Sequence, residues 1–414
     1  MKIERVKEII TPKENINSML IGILCVTGLI SFITGINNII PIIIIMVLAI
    51  IEIVNYKETL AKLKKRELLM PNGFLIFILF INILYLMSYL RNGVKYTTID
   101  RLFHFIGFLI IPAICCRHKI TAKGIVNSIL ILSGIMAIPM FFINFGKYDG
   151  GMRMSIIYYM LPTYISMIMS FFVTENKNKK SIFIKLLIYF ILFYPYISFL
   201  LLHASRGIFI AIAICLYLCL IAKRKVKVKI IITVVILIIG VIGIVFFKPI
   251  LTVANDIFIN MNIHIEAISK NLKLYEEGKL GNGREKVYAW ASEGIKEHPW
   301  IGNGIGEYAD RYGTYPHNLL LQAWYEGGII FFSLMLYFLG YSVYVFIFDK
   351  KTDDNKKYIL ILFFSISIIR LMLSYEFWKE ISFGLYLYII IDIMQSNFIR
   401  RKSLKDGKCN NTNV

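Results

Sequence analysis

Apolar runs of about 20 residues, each long enough for one helix to cross the hydrocarbon core of a bilayer, follow one another along this 414-residue chain. Hydrophobic residues make up 57% of the chain and charged residues only 17%, which excludes an ordinary soluble globular protein. Lipid offers the backbone no hydrogen bonds, whereas a helix satisfies its own. The sequence therefore predicts an all-α polytopic membrane protein.

We count about twelve candidate spans along the chain. None of them shows the ten-residue alternation of apolar and polar side chains that is typical of a strand in a membrane β-barrel. The runs lie near residues 17–34, 38–54, 72–90, 99–116, 124–145, 155–174, 184–202, 207–222, 230–247, 328–348, 358–374 and 380–399.

The distribution of Lys and Arg predicts the orientation. About 30 of these residues lie in one set of alternate short connections, and about 6 lie in the other set. Connections rich in Lys and Arg stay in the cytoplasm, so we expect both termini there. The net charge of +20 then reflects topology and contact with lipid headgroups and does not indicate nucleic-acid binding. The basic connections are 1–16, 55–71, 117–123, 175–185, 223–229, 349–357 and 400–414.

One long polar interruption divides the chain into four parts. Residues 1–247 are expected to form a membrane bundle of about nine spans with a cytoplasmic N-terminus. Residues 248–328 are expected to form a single large extracytoplasmic loop. The last three spans fall within 329–399, and 400–414 form a cytoplasmic tail. A sizeable loop at the membrane surface makes 248–328 the candidate site of chemistry.

Two segments of this loop predict helices, Ile265–Glu277 and Arg284–Glu297. In the second, Val287, Trp290 and Ala291 begin an apolar stripe at spacings of three and four residues, which Ile295 continues. Such a stripe predicts a helix that lies against the bundle or in the membrane interface.

The sequence lacks the motifs that are typical of several classes of enzyme. The loop holds no cysteine and no Cys/His spacing for a metal, so neither a disulfide framework nor a bound metal is expected. The P-loop, Gly-x-Ser-x-Gly and His-Glu-x-x-His motifs are missing as well. Glu276 and Glu277 are adjacent and point to different helix faces, which disfavours a two-carboxylate glycosidase. No cofactor is expected.

Charged side chains at the rim of a bilayer are costly unless they face a polar cavity, so each is a functional candidate. Arg370 lies deepest in a predicted span, with Glu376 and Glu380 as candidate partners. On the side of the loop the candidates are Arg91, Lys95, Arg101, Lys147, Arg153, Arg206, Arg284, Arg311 and His317.

Arg206 follows His203-Ala204-Ser205 at a short turn between two predicted spans. A guanidinium there suits a phosphate near the headgroup plane, because it offers a bidentate fork to an oxyanion. The alternative is an arginine that merely extends to the interface.

Arg284 begins the second loop helix, and His317 directly precedes the apolar residues of the next span. The dipole at a helix N-terminus disfavours an imidazolium, which would keep His317 neutral and able to accept a proton. The alternatives are a solvated surface arginine and a structural or capping histidine. Together with Arg206, these residues are what transfer of a group from a lipid diphosphate needs: two cations for the leaving group and one base for the acceptor hydroxyl.

At these residues the chain resembles the O-antigen ligase and polymerase superfamily of membrane glycosyltransferases. The arrangement of spans, the single late loop and the two cytoplasmic ends are similar to that family. The local patterns that carry the resemblance are Ser205-Arg206-Gly207, Gly283-Arg284 with Trp290, Pro299, Gly302 and Gly304, and His317-Asn318 with Leu320, Glu326 and Gly327-Gly328.

The resemblance implies a GT-C-type fold, a polyprenyl-diphosphate-linked oligosaccharide as donor and transfer without a metal. It assigns the diphosphate to Arg206 and Arg284 and activation of the acceptor to His317. Arg153 resembles a further family arginine, although the usual Asn-Pro continuation is replaced by Leu161-Pro162. The supporting residues are Asn318, Gly283, Trp290 and Glu326.

Two activities share these patterns. A polymerase joins repeat units on one carrier, and a ligase moves the finished glycan to a lipid or another acceptor. The heavy use of Ile, Lys and Asn favours an AT-rich bacterial host without lipid A, so we expect a capsule or exopolysaccharide polymerase in the cell membrane. Its partners would be the lipid-linked donor, an acceptor glycan, membrane lipid and a chain-length regulator. A polysaccharide flippase and a sensory or structural membrane protein are the alternatives from other classes.

Overall fold

The computed structural model describes residues 12–35, 42–43, 46–47, 71–116, 120–143, 148, 150–174, 179–203, 206–262, 265–278 and 284–405. Every regular element within these ranges is a helix, which confirms the predicted all-α class. The α-helices are α1 Pro12–Thr34, α2 Asn72–Asn92, α3 Tyr96–His104, α4 Ile111–Cys116, α5 Ala122–Met140, α6 Gly150–Tyr159, α7 Leu161–Val173, α8 Lys179–Leu192, α9 Tyr194–His203, α10 Arg206–Ile221, α11 Val226–Val245, α12 Phe247–Asn260, α13 Glu266–Glu276, α14 Arg284–Glu297, α15 Glu307–Tyr312, α16 Leu319–Ile347, α17 Asp354–Phe363, α18 Ile369–Leu373 and α19 Ile381–Lys405.

Several of these helices can cross a membrane. In the described part of the chain, seven helical segments are long and apolar enough, and the pair α8 and α9, bent by 72°, could form an eighth. Two other predicted spans contain a π-helical turn, at Phe105–Ile110 and at Phe364–Ile368. The predicted span 38–54 lies almost entirely outside the described residues. A multi-pass membrane protein is thus confirmed, and the count of twelve stays a prediction.

Small residues let α1 and α5 approach closely. A Cβ on Gly22 would lie 2.7 Å from the Ser128 Cβ, and one on Gly124 would lie 2.7 Å from the Ser18 Cβ. The Ser128 hydroxyl donates to the carbonyl of Met19 over 2.9 Å. Because lipid tails are as apolar as the helices, close backbone packing and such bonds hold membrane helices together.

Three of the predicted cytoplasmic connections meet at one end of the bundle. Asn355 accepts a hydrogen bond from the Ala122 amide over 2.7 Å and donates to the Ile120 carbonyl over 2.8 Å. Lys223 lies 3.8 Å from the carboxylate of Asp354. The shared location of 223–229, 349–357 and the described part of the first connection, 120–123, is what the predicted topology requires.

The two predicted loop helices form as α13 and α14, with nearly the expected bounds. The following helix, α16, begins at Leu319, earlier than the predicted span at 328, and contains a break at Gly328, where φ is 67° and ψ is −167°. Here the loop backbone replaces the missing helical bonds. The Asn303 amide donates to the Tyr325 carbonyl over 2.7 Å, and the Gly304 amide donates to the Glu326 carbonyl over 3.0 Å.

We predict that Gly328→Ala destabilises the protein by about 2 kcal/mol or more. The φ of 67° is unfavourable for alanine, and its Cβ would lie 2.1 Å from the carbonyl oxygen of Trp300. The measurement is thermal unfolding of the purified protein in detergent. Gly340→Ala is the matched control in the same helix, because a Cβ there meets no atom within 4 Å. Equal melting of the two variants would contradict the account.

Candidate functional site

The segment 299–306 is fastened to α2 and α3 as well as to α16. The Arg91 guanidinium donates to the Gly302 carbonyl over 2.7 Å, and the Asn92 amide donates to the Asn303 carbonyl over 2.8 Å. The Ile305 amide donates to the hydroxyl of Ser88 over 2.7 Å. Arg91, one of the candidate cations, therefore holds the loop in place. We call the end of the bundle that carries residues 299–318 the loop end.

Other candidate cations at the loop end face carboxylates. Lys95 lies 2.5 Å from Glu307. The buried Arg101 guanidinium lies 2.5 Å from Glu376. These ion pairs indicate that Lys95 and Arg101 have structural roles.

Arg311 is also paired, on the exposed surface of the loop. It makes a bidentate contact with Glu297, at 2.7 and 3.1 Å. This bond lowers the pKa of the Glu297 carboxyl and raises that of the guanidinium. Lys147, another candidate, lies outside the described residues.

Arg370 forms a buried pair with Glu380 at 2.7 Å. Glu376, the other predicted partner of Arg370, instead contacts Arg101. The Arg370 guanidinium carbon also lies 3.9 Å from the centre of the Tyr375 ring and 5.5 Å from that of Tyr158. The cation is thus enclosed by aromatic faces, which favour positive charge.

Helix α14 packs with its apolar stripe against the start of α16, as the sequence predicts. Ala291 and Ile295 are buried in a small cluster with Tyr308 and Tyr325. Trp290 stacks on the ring of Tyr312, with centroids 4.7 Å apart and planes 8° from parallel. Trp290 thus supports the position of α14 and the loop. Gly283, which precedes this helix, lies outside the described residues.

Asn318 fixes the start of α16. Its side-chain oxygen accepts hydrogen bonds from the amides of Leu320 and Leu321, at 3.0 and 3.1 Å, which is the arrangement of a helix N-cap. His317 directly before it has a φ of 54°, in the left-handed region that few side chains adopt. Strained backbone of this kind recurs at functional sites.

The half-buried imidazole of His317 packs on Tyr315, with ring centroids 4.2 Å apart. Its Nδ1 is buried, and no hydrogen-bond partner reaches it within the described residues. Burial, and to a smaller extent the positive charge of Arg284, lowers the pKa of His317 below its usual value. The imidazole is therefore neutral near pH 7 and able to accept a proton.

Arg206, Arg284 and His317 come together at the loop end. Arg284, at the first position of α14, is close enough to interact electrostatically with both His317 and Arg206. Arg206 is the first residue of α10. Two guanidinium groups that repel each other beside a neutral imidazole form a site suited to a group with more than one negative charge.

Tyrosines that the sequence reading missed surround these three residues. A Cβ on Gly207 would lie 2.5 Å from the Tyr158 hydroxyl, so this hydroxyl lies directly against the start of α10. Tyr315 donates to the Ser374 carbonyl over 2.9 Å and is within electrostatic range of Arg284. The sequence feature that could have identified them is the pair of adjacent tyrosines, Tyr158 and Tyr159, in an apolar run.

Glu326 and Arg153 occupy different surroundings. Glu326 is only 2% exposed and accepts hydrogen bonds from the Trp378 indole over 2.6 Å and from Gln322 over 3.1 Å. It therefore ties α16 to the short 3₁₀ turn Phe377–Lys379. Arg153 is half-buried on α6, two residues before Ser155 in the wall of a large cavity.

The middle of the chain is similar to a known protein family. Residues 187–336 match the family model described as O-antigen ligase. No curated protein matches the chain. The matched segment includes Arg206, Arg284 and His317, together with Trp290 and Asn318. The match confirms the resemblance to the O-antigen ligase and polymerase superfamily and indicates a membrane glycan ligase or polymerase.

We predict that His317 protonates with a midpoint below the ordinary value of about 6.5 and that Arg284→Gln raises this midpoint. Removing the nearby positive charge makes protonation easier, although burial still opposes it. The measurement is the pH dependence of carbethoxylation at His317, which requires neutral imidazole, followed by mass spectrometry.

Arg311→Gln is the control, because Arg311 pairs with Glu297 and does not contribute to the pKa shift of His317. A midpoint at or above about 6.5, or one that Arg284→Gln leaves unchanged, would contradict the assignment.

Proposed function

We propose, from the match of residues 187–336 to the O-antigen ligase family, that the protein is a membrane glycosyltransferase. It transfers an oligosaccharide from a polyprenyl-diphosphate carrier to a hydroxyl of an acceptor glycan. The observation that carries the proposal is the convergence of Arg206, Arg284 and the neutral His317 from three distant parts of the chain.

In this reaction the acceptor oxygen forms a bond to the anomeric carbon of the donor, and the bond from that carbon to the phosphate oxygen breaks. His317 takes the proton of the acceptor hydroxyl, which general-base catalysis requires. Polyprenyl diphosphate leaves with the bonding electrons. Arg206 and Arg284 stabilise the negative charge that develops on it, and the fixed position of both helix starts reduces the reorganisation needed.

Supporting residues act through these three. Asn318 caps α16 and so fixes the backbone of His317, while Trp290 holds α14 and with it Arg284. Gly283, outside the described residues, and Arg153 keep the roles that the resemblance implies, as a supporting residue of the motif and as a further contact to the diphosphate. Glu326 anchors α16 to the segment after α18.

The full arrangement we propose is a GT-C-type bundle of about twelve spans with both termini in the cytoplasm. Residues 1–247 and 329–399 form the bundle, and 248–328 form the loop on the extracytoplasmic face of the cell membrane. Residues 400–414 are the cytoplasmic tail. The contacts among the basic connections at the end opposite the loop support this orientation.

The activity we favour is polymerisation of a capsular or exopolysaccharide repeat unit, without a metal, in concert with a chain-length regulator. Ligation of a finished glycan to a lipid or other acceptor uses the same residues and the same chemistry. The product distinguishes the two. Long chains formed from lipid-linked repeat units alone indicate a polymerase, whereas a single transfer to an added acceptor indicates a ligase.

We predict that His317→Ala lowers the turnover rate by about 10²- to 10⁴-fold, the usual contribution of a general base. Arg206→Gln should lower it by about 10²- to 10³-fold, because one donor to the leaving group is lost. Arg206→Lys keeps the positive charge but loses the bidentate donor geometry of the guanidinium. Its turnover rate should therefore fall between that of Arg206→Gln and that of the wild type. The measurement uses purified protein and a polyprenyl-diphosphate-linked repeat unit.

Arg311→Gln is the matched control, since it removes a loop arginine whose partner is the exposed Glu297. Its turnover should equal that of the wild type. Wild-type turnover in His317→Ala, with the protein correctly inserted in the membrane, would overturn the proposed mechanism.

A further inference from the structure

A cavity of about 590 Å³ lies among the helices, and Tyr158 in its wall also lies against the start of α10. Its walls come from α1, α6, α7 and residues 366–382. Three of the lining residues are Tyr158, Tyr159 and Tyr375, and we call it the tyrosine cavity. The volume is within the range of about 300–1,000 Å³ that small-molecule sites occupy.

The tyrosine cavity adjoins the cluster of Arg206, Arg284 and His317 through shared tyrosines. Tyr158 lines the cavity and also lies against Gly207, the residue after Arg206. Tyr375 lines the cavity and contacts Tyr315, which packs on His317. A molecule in the cavity would therefore be next to the proposed site of transfer.

The charges on the wall of the tyrosine cavity are compensated. Arg370 pairs with Glu380 at 2.7 Å, and Lys379 lies 3.0 Å from Asp100. These two are the cations among the described lining residues. The Arg206 and Arg284 site differs in that its two guanidinium groups lie within electrostatic range of each other.

An uncharged ligand rich in hydroxyl groups fits this wall best. Tyrosine rings offer flat apolar faces to the C–H faces of a sugar ring, and their hydroxyls remain available for hydrogen bonds. The ion pair of Arg370 and Glu380 supplies a strong donor and a strong acceptor. A hydrocarbon tail would leave these polar groups without water, which is unfavourable.

We propose that the tyrosine cavity is a saccharide subsite, which holds sugar rings of the glycan substrate beside the reacting hydroxyl. This inference rests on the proposed function. The sugar chemistry is common to the acceptor glycan and to the glycan of the donor, and the position next to His317 is suited to either.

Ser155→Trp tests the subsite. Ser155 is exposed and lines the tyrosine cavity, so an indole there fills the space without displacing a buried side chain. Ser155→Ala is one control. Ser292→Trp is the matched control, since Ser292 is an exposed helical serine with the same hydrogen bond to the carbonyl four residues earlier and does not line the cavity.

The binding probe is the oligosaccharide that mild acid releases from the host's lipid-linked repeat unit, which has no diphosphate. Saturation-transfer NMR with the detergent-solubilised protein reports its binding. We expect Ser155→Trp to raise the dissociation constant at least about tenfold, whereas both controls bind as the wild type does. Wild-type binding by Ser155→Trp would overturn the subsite.

Steady-state kinetics then identify the source of the sugar. If Ser155→Trp raises KM for the free oligosaccharide as acceptor, the subsite holds the acceptor; if it raises KM for the lipid-linked donor alone, the subsite holds the donor glycan. Unchanged KM for both would overturn the proposal.

The two proposals fail in different ways. If Ser155→Trp binds the oligosaccharide normally while His317→Ala still abolishes transfer, the subsite is wrong and the glycosyltransferase activity stands. If the wild type binds the oligosaccharide and Ser155→Trp does not, but neither protein transfers sugar, the subsite is right and the proposed glycosyltransferase activity is wrong. The protein is then a saccharide-binding membrane protein.

Discussion

The backbone break in α16 at Gly328 is the constraint on which the loop end depends. A membrane helix cannot leave carbonyl groups unpaired without a large cost, because lipid offers no donor. Segment 299–304 supplies amide donors to two of these carbonyls and places Gly302 where any side chain would collide with the helix. The helix break and the loop therefore form one unit, which fixes the direction in which α16 begins and hence the position of His317.

The distribution of charge gives this unit its chemistry. Lys95, Arg101 and Arg311 each lie within 3 Å of a carboxylate, as does the deep Arg370. Arg206 and Arg284 also lie close enough to each other for repulsion. Such repulsion is relieved when an anion binds between the two groups, so the same feature that costs folding energy favours a diphosphate ligand. Burial, with a smaller contribution from the charge of Arg284, keeps the neighbouring imidazole neutral.

Local patterns predicted much of this architecture. The apolar runs predicted membrane helices, the stripe in 284–297 predicted the buried face of α14, and the sequence His317-Asn318 predicted the start of a helix. The polar residues of the cluster were identified because charge in an apolar chain is conspicuous. Its three members were placed together by their resemblance to a family and by the chemistry they share.

Contacts between distant segments could not be predicted in this way. From the sequence, both Glu376 and Glu380 are close enough to pair with Arg370. Only the packing of the helices determines that Glu376 pairs with Arg101 and Glu380 with Arg370. The glycines near 302 and 328 indicate turns, yet their complementary fit depends on two segments meeting in space. Tyr158 and Tyr375 were missed because a tyrosine in an apolar run resembles any other core aromatic until its neighbours are known.

The central claim is that Arg206 and Arg284 jointly hold a diphosphate with its sugar directed at His317. Cryo-electron microscopy of the protein bound to a polyprenyl diphosphate tests it most directly. The account predicts phosphate density within hydrogen-bond distance of both guanidinium groups, with the terminal phosphate, which carries the sugar in the intact donor, on the His317 side. Diphosphate density that contacts neither arginine, or that lies at a different end of the bundle, would contradict it.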